Sequence, residues 1–81
     1  MHYVYFIKSK KKNWVYVGST SDLIQRIKRH NDGLVKSTKH YRPFELIYYE
    51  AYTTLVVAKR REFEIKKNSQ QKKFVLSRLK V

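Results

Sequence analysis

Cysteine is absent from the 81 residues of this chain. That excludes a disulfide scaffold and any thiolate metal site, so neither a secreted knot nor a zinc ribbon can support so short a sequence. Proline occurs once and glycine twice, which argues against a disordered segment. The longest unbroken apolar run, Tyr3 to Ile7, is far short of the roughly 20 residues a membrane helix needs, and nothing at the N-terminus resembles a signal peptide. One cytoplasmic globular domain over residues 1–81 is therefore expected, with no membrane partner and no obligate protein partner evident. Acids are also scarce. Nineteen Lys and Arg face 6 Asp and Glu, a formal net charge of +13. Such an excess predicts a polyanionic partner, nucleic acid first, with a ribosome-associated protein or a merely solvated surface as blander accounts.

The core has to come from the 42% hydrophobic fraction, which is rich in large rings: seven Tyr, four Phe and one Trp. Tyr3 to Lys8 and Trp14 to Gly18 carry aromatic and β-branched residues and are predicted strands of a hairpin, with Ser9 to Asn13 as its solvated loop. Ser19-Thr20-Ser21-Asp22 supplies an N-cap for a helix that ends near Asn31-Asp32-Gly33. Leu34 to Pro43 shows no sustained period, and Phe44 to Tyr52 is the third strand. Thr53 or Thr54 caps a second helix running to about Lys67, and Gln70 to Lys80 forms a third. The order β-β-α-β-α-α predicts an α+β fold, a small three-stranded antiparallel sheet packed with helices.

Several residues are candidates for chemistry. Gly18 weakens a strand unless something approaches closely, and with Ser19 and Thr20 it precedes a helix N-terminus that could receive a phosphate. On the first helix, Arg26 and His30 are four residues apart and share an edge of the apolar stripe. His30 alone reads as a structural histidine; beside it, a guanidinium at the core margin is suited to fork a phosphate. On the second helix, a turn of about 100° per residue from Leu55 puts Ala58 near −60°, Ile65 near −80° and Glu62 near −20°, while Glu64 falls opposite, near 180°. A carboxylate in an apolar stripe is costly unless paired, protonated or bound to a cation. A salt bridge and a hard-metal ligand both answer that cost.

Taken together, Tyr3-Val4-Tyr5, then Tyr16-Val17-Gly18, then Arg26 and His30, then Ala58 and Glu62 closely resemble the GIY-YIG nuclease domain over nearly the whole chain. Arg42-Pro43 and the Glu62 to Lys66 segment add a likeness to its small stand-alone bacterial members. Tyr3 stands where the first motif names glycine, and Val4 and Val17 replace isoleucines. The resemblance implies a metal-dependent endonuclease using Mg²⁺ or Mn²⁺, acting on DNA in preference to RNA. By it Tyr5 and Tyr16 are the motif tyrosines, Arg26 the catalytic arginine, Glu62 the metal ligand, and His30 a substrate contact or a support for the tyrosines. Of the two tyrosines, Tyr5 is the expected base, provided nearby cations lower its pKa. Lys10, Lys11, Lys12, Arg29, Lys39 and Arg42 join Gly18, Ser19 and Thr20 as expected nucleic-acid contacts. A non-catalytic basic binding module that keeps this fold is the alternative.

Overall fold

A computed structural model describes residues 1–79. The elements are β1 (His2–Ser9), β2 (Val15–Thr20), α1 (Leu23–Asn31), a 3₁₀ turn (Lys39–Tyr41), β3 (Phe44–Tyr52), α2 (Leu55–Lys67) and α3 (Ser69–Leu79), in the expected α+β order. Lys80, placed by sequence at the end of the third helix, lies outside the described residues.

The densest apolar run becomes the central strand. The sheet order is β2-β1-β3, antiparallel throughout, so β1 has a neighbour on each side and helices on each face. Val4 to Ile7 are all completely buried. Strand alternation sends Val4 and Phe6, with Val17, toward Ala58 and Ile65 of α2 and Val75 of α3. It sends Tyr5 and Ile7 to the other face, where Leu23 and Ile27 of α1 cover them together with Trp14, Tyr16 and Phe44.

Local chemistry sets the connections. Ser9 Oγ accepts the Lys11 and Lys12 amides at 3.1 Å each and donates to the Tyr41 carbonyl, which shapes the basic loop. Asp22 caps α1 by accepting from the Gln25 amide at 3.1 Å, and Thr54 caps α2 through the Val57 amide at 3.3 Å. The Asn31 side chain accepts the Phe44 amide at 2.6 Å and donates to the Phe44 carbonyl at 3.2 Å, fastening the end of α1 to the start of β3.

Helix α2 sits differently from the expected stripe. Leu55 is 51% exposed, while Ala58 and Ile65 are fully buried, so the buried direction lies near −70° on the same wheel and Glu62 flanks it rather than occupying its middle. Arg61 flanks the other side. Its Nε and Nη2 donate to Glu50 of β3 at 2.8 and 3.1 Å, and Tyr48 and Tyr52 also donate to that carboxylate, at 2.7 and 2.5 Å. Burial and the bond to Glu50 push the Tyr48 phenol up to about 12. Glu62 is tied to β2 through Ser19, so one helix is fastened to both edge strands by adjacent residues.

Strand β2 runs two residues past the expected end at Gly18, because Gly18 is no break. It pairs with Tyr5 across the ladder. A methyl group there would lie 2.5 Å from the Tyr5 hydroxyl and 3.0 Å from a ring carbon of Tyr16. Gly18→Ala should lower stability by about 1–3 kcal/mol through overpacking, read as a fall in the melting temperature; an unchanged melt would refute the close approach.

Candidate active site

The site is built on the Tyr5 side chain. Its hydroxyl lies 2.8 Å from His30 Nε2, and Arg26 Nε donates to it at 3.4 Å. His30 Nδ1 is 2.8 Å from Thr38 Oγ1, whose own proton goes to the Val35 carbonyl at 3.4 Å. Thr38 therefore accepts from Nδ1–H, and Nε2 is left bare to accept the Tyr5 proton. His30 is completely buried; that burial, reinforced by the Arg26 charge, lowers its pKa to about 4 and keeps the ring neutral. Burial likewise raises the Tyr5 phenol above 10, because it outweighs the opposing pull of Arg26.

These facts change two expectations. Tyr5 meets the condition for a base poorly, since its pKa is raised and the residue has no exposed surface. His30, fully enclosed, supports the tyrosines and has no surface for substrate. Tyr16 is the partly exposed motif tyrosine. Its ring lies 5.2 Å from that of His30 and 6.4 Å from that of Tyr5.

Glu62 reaches the site from the other side of β2. Ser19 donates to Oε1 at 2.6 Å, Lys66 Nζ holds Oε2 at 2.8 Å, and Lys59 lies at 3.7 Å. Burial raises the carboxyl, but the bonds from Lys66 and Ser19 prevail and hold it below 4.5. Ser19, Thr20, Ser21, Arg26 and Lys59 line one open cleft of about 450 Å³ together with His2, whose Nδ1 is buried without a partner. Arg26 and Ser19, the residue that holds Glu62, thus border the same space. Glu64 faces away, its side chain 54% exposed.

The expected phosphate corner is not a corner. Gly18, Ser19 and Thr20 belong to β2; Gly18 is buried under Tyr5, Ser19 serves Glu62, and Thr20 Oγ1 accepts the Asp22 amide at 3.1 Å. Lys10, Lys11 and Lys12 are exposed at the hairpin tip. Lys10 is five residues past Tyr5, about 16 Å along β1 at the usual strand rise. Arg29 and Lys39 are exposed, and the Arg42 guanidinium packs against Gly33, whose φ is +77°. Thr38, Lys59 and Lys66 were missed. Spacing from Glu62 points to both lysines, at i−3 and i+4; nothing local marks Thr38.

Among the described residues no group of three or more His, Cys, Asp or Glu side chains is placed to hold a metal. Glu62, its side chain 16% exposed, is the carboxylate next to the cleft, and a hard cation that takes one carboxylate and fills its remaining positions with water and phosphate oxygens is the class of ion such a residue would hold.

Comparison with known proteins agrees with this architecture. The GIY-YIG catalytic domain family matches residues 1–74, and the chain belongs to that family. It is 44% identical over 73 residues to the UPF0213 protein YazA of Bacillus subtilis, covering 89% of this chain and 73% of the relative. It is 43% identical to the UPF0213 protein SSP2268 of Staphylococcus saprophyticus, over 93% and 92% of the two chains. The solution structure of the UPF0213 protein BH0048 from Bacillus halodurans superposes with a TM-score of 0.58 at 39% identity, over 98% of this chain and 84% of that one.

The buried neutral His30 gives a pH signature. The unfolded imidazole takes a proton near 6.5 and the folded one only near 4, so stability is complete above 6.5 and falls as the pH drops toward 4. Denaturant unfolding should lose roughly 2 to 3 kcal/mol across that window, and His30→Asn should flatten the dependence; an equal slope in both proteins would contradict a buried neutral ring.

Proposed function

We propose that this protein is a divalent-metal-dependent endonuclease that hydrolyses phosphodiester bonds of nucleic acid with low sequence specificity, DNA in preference to RNA. The observation that supports this reading is the cleft lined by Arg26 and by Ser19, the residue that holds the Glu62 carboxylate, in a chain of net charge +13.

Hydrolysis joins a water oxygen to phosphorus, breaks the bond to one ester oxygen and delivers a proton to that leaving oxygen. Charge builds on the non-bridging oxygens as this happens. Arg26 faces the cleft with its Nε engaged by Tyr5, so the rest of its planar fork is directed to those oxygens without reorganisation. Tyr5 is the positioning residue: neutral, its proton on His30, it accepts from Arg26 and fixes the guanidinium. Tyr16, the hydroxyl-bearing ring that reaches the surface beside Lys66, orients the water. Glu62 would hold a Mg²⁺ or Mn²⁺ ion, which supplies charge neutralisation at the phosphate. Ser19 holds the carboxylate beside the cleft it lines, and Lys66 and Lys59 compensate its charge.

Two substitutions on one helix test this. Glu62→Gln should abolish cleavage with the fold and nucleic-acid binding retained, and Glu64→Gln should leave the rate within about twofold of wild type. The assay is single-turnover cleavage of duplex, branched and single-stranded substrates with Mg²⁺, Mn²⁺ or EDTA. Equal loss in both variants, or metal-independent binding with no cleavage of any substrate, would favour the binding-module alternative.

A further inference from the structure

A second cleft shares Tyr16 and Lys66 with the site above, and its remaining polar and aromatic groups, Trp14, Ser69 and Lys72, are not needed for the chemistry above. It measures about 320 Å³, within the range of small-ligand pockets, and runs between the open edge of β2 and the junction of α2 and α3. Trp14, Tyr16, Lys66, Ser69 and Lys72 line it, over a floor that includes Ile65. We propose that this cleft is a nucleotide subsite for the nucleic-acid strand flanking the bond to be cut, with a phosphate on Lys72 and a base against Trp14. The proposal rests on the nuclease reading only in saying which ligand passes there.

Lys72 is the first reason. Its ammonium is drawn onto the β2 edge, donating to the Val15 carbonyl at 2.7 Å, and among the described residues it has no carboxylate partner. Lys66 stands in the same cleft, already engaged by Glu62. Two ammonium groups converge on a partly enclosed space in which only one has a counter-ion. Burial, with repulsion from Lys66, lowers the Lys72 pKa, and an anion between them relieves both costs. Strand alternation turns the Val17 amide toward the same open edge as the Val15 carbonyl, adding a neutral donor.

The aromatic wall is the second. Trp14 is stacked on Tyr41 with ring centroids 4.2 Å apart and planes at 28°, so its indole is held rigid, and Tyr16 lies 6.0 Å away. A fixed ring beside a cation is what a base and its phosphate use together, since stacking is worth about 1–3 kcal/mol per base and tolerates any sequence. Continuity is the third reason. Lys66 Nζ lies 2.8 Å from Glu62 Oε2 and 5.0 Å from the centre of the Tyr16 ring and lines this cleft with Lys72, so it links Glu62 to the second cleft. A β-strand peptide does not suit the edge, because Lys72 already occupies the Val15 carbonyl.

Trp14 is the only tryptophan, so the indole fluorescence comes from the wall of this cleft and from no other site. Tetrathymidylate titrated in EDTA, with binding followed separately by anisotropy of a labelled copy, should change the Trp14 emission in step with binding. Lys72→Met should weaken binding about tenfold and reduce the salt slope by about 0.7, the loss of one phosphate contact on a single strand, while Lys72→Arg should restore both. Lys72→Met with wild-type affinity and slope would overturn the subsite. So would wild-type protein that binds tetrathymidylate with no change at Trp14, a result that holds whether or not the methionine variant folds. The titration reads the subsite without metal, and cleavage is read separately with Mg²⁺ or Mn²⁺: tryptophan-linked binding in EDTA with no cleavage in the metal assay keeps the subsite and removes the nuclease, and cleavage indifferent to Lys72 does the reverse.

Discussion

The Tyr5 hydroxyl is where the strands, the first helix and the loop after it are brought into one arrangement. Its ring fills the space left by Gly18 on β2, its proton goes to His30 on α1, and its oxygen takes the Arg26 Nε from one turn earlier on the same helix. Thr38, from the segment after α1, completes the chain by fixing the imidazole tautomer. Burial dominates here: it keeps the phenol protonated and the imidazole neutral despite the adjacent guanidinium. A neutral, fully bonded network in the interior is rigid at low electrostatic cost, and leaving any member unpaired costs about 1–3 kcal/mol. Arg26 carries the one charge of this group and stands at its boundary, half-buried and lining the open cleft.

Helix α2 supplies the opposite charge by a different device. Arg61 locks onto Glu50 and its two tyrosines on one edge of the sheet, while Glu62, the next residue, reaches Ser19 on the other edge. Adjacent positions lie about 100° apart on a helix, so gripping both edges fixes the rotation of α2. The Glu50 cluster is therefore part of how the carboxylate is aimed, although it lies across the sheet from the cleft.

Much of this was legible in the sequence because it follows from periodicity and from short-range spacing. The strands, a cap somewhere in Ser19 to Asp22 and another at Thr53 or Thr54, and the pairing of Arg26 with His30 on one helix edge are of that kind. The wheel alone separates Glu62 from Glu64, yet it counts Leu55 in the stripe and so puts Glu62 in its middle, and the exposure of Leu55 is not visible without the packed fold. Gly18 was recognised as a place of close approach, but the approaching group is Tyr5 from the neighbouring strand, which requires the register. Thr38 and Lys72 were not legible at all. Thr38 reaches His30 from a segment without a regular period, eight residues on, and Lys72 reaches the Val15 carbonyl from 57 residues away, so only the packed fold brings those partners together.

The claim that Tyr5 works by holding Arg26 is tested most directly by a double-mutant cycle on single-turnover cleavage. Tyr5→Phe removes one oxygen and Arg26→Lys keeps the charge while losing the planar fork. On this account Tyr5→Phe slows cleavage at least about tenfold in the wild-type background and less than about twofold once Arg26 is lysine, because the group it positions is already gone. If Tyr5→Phe slows both backgrounds by the same factor, the hydroxyl acts independently of Arg26, and the positioning role assigned to it is wrong.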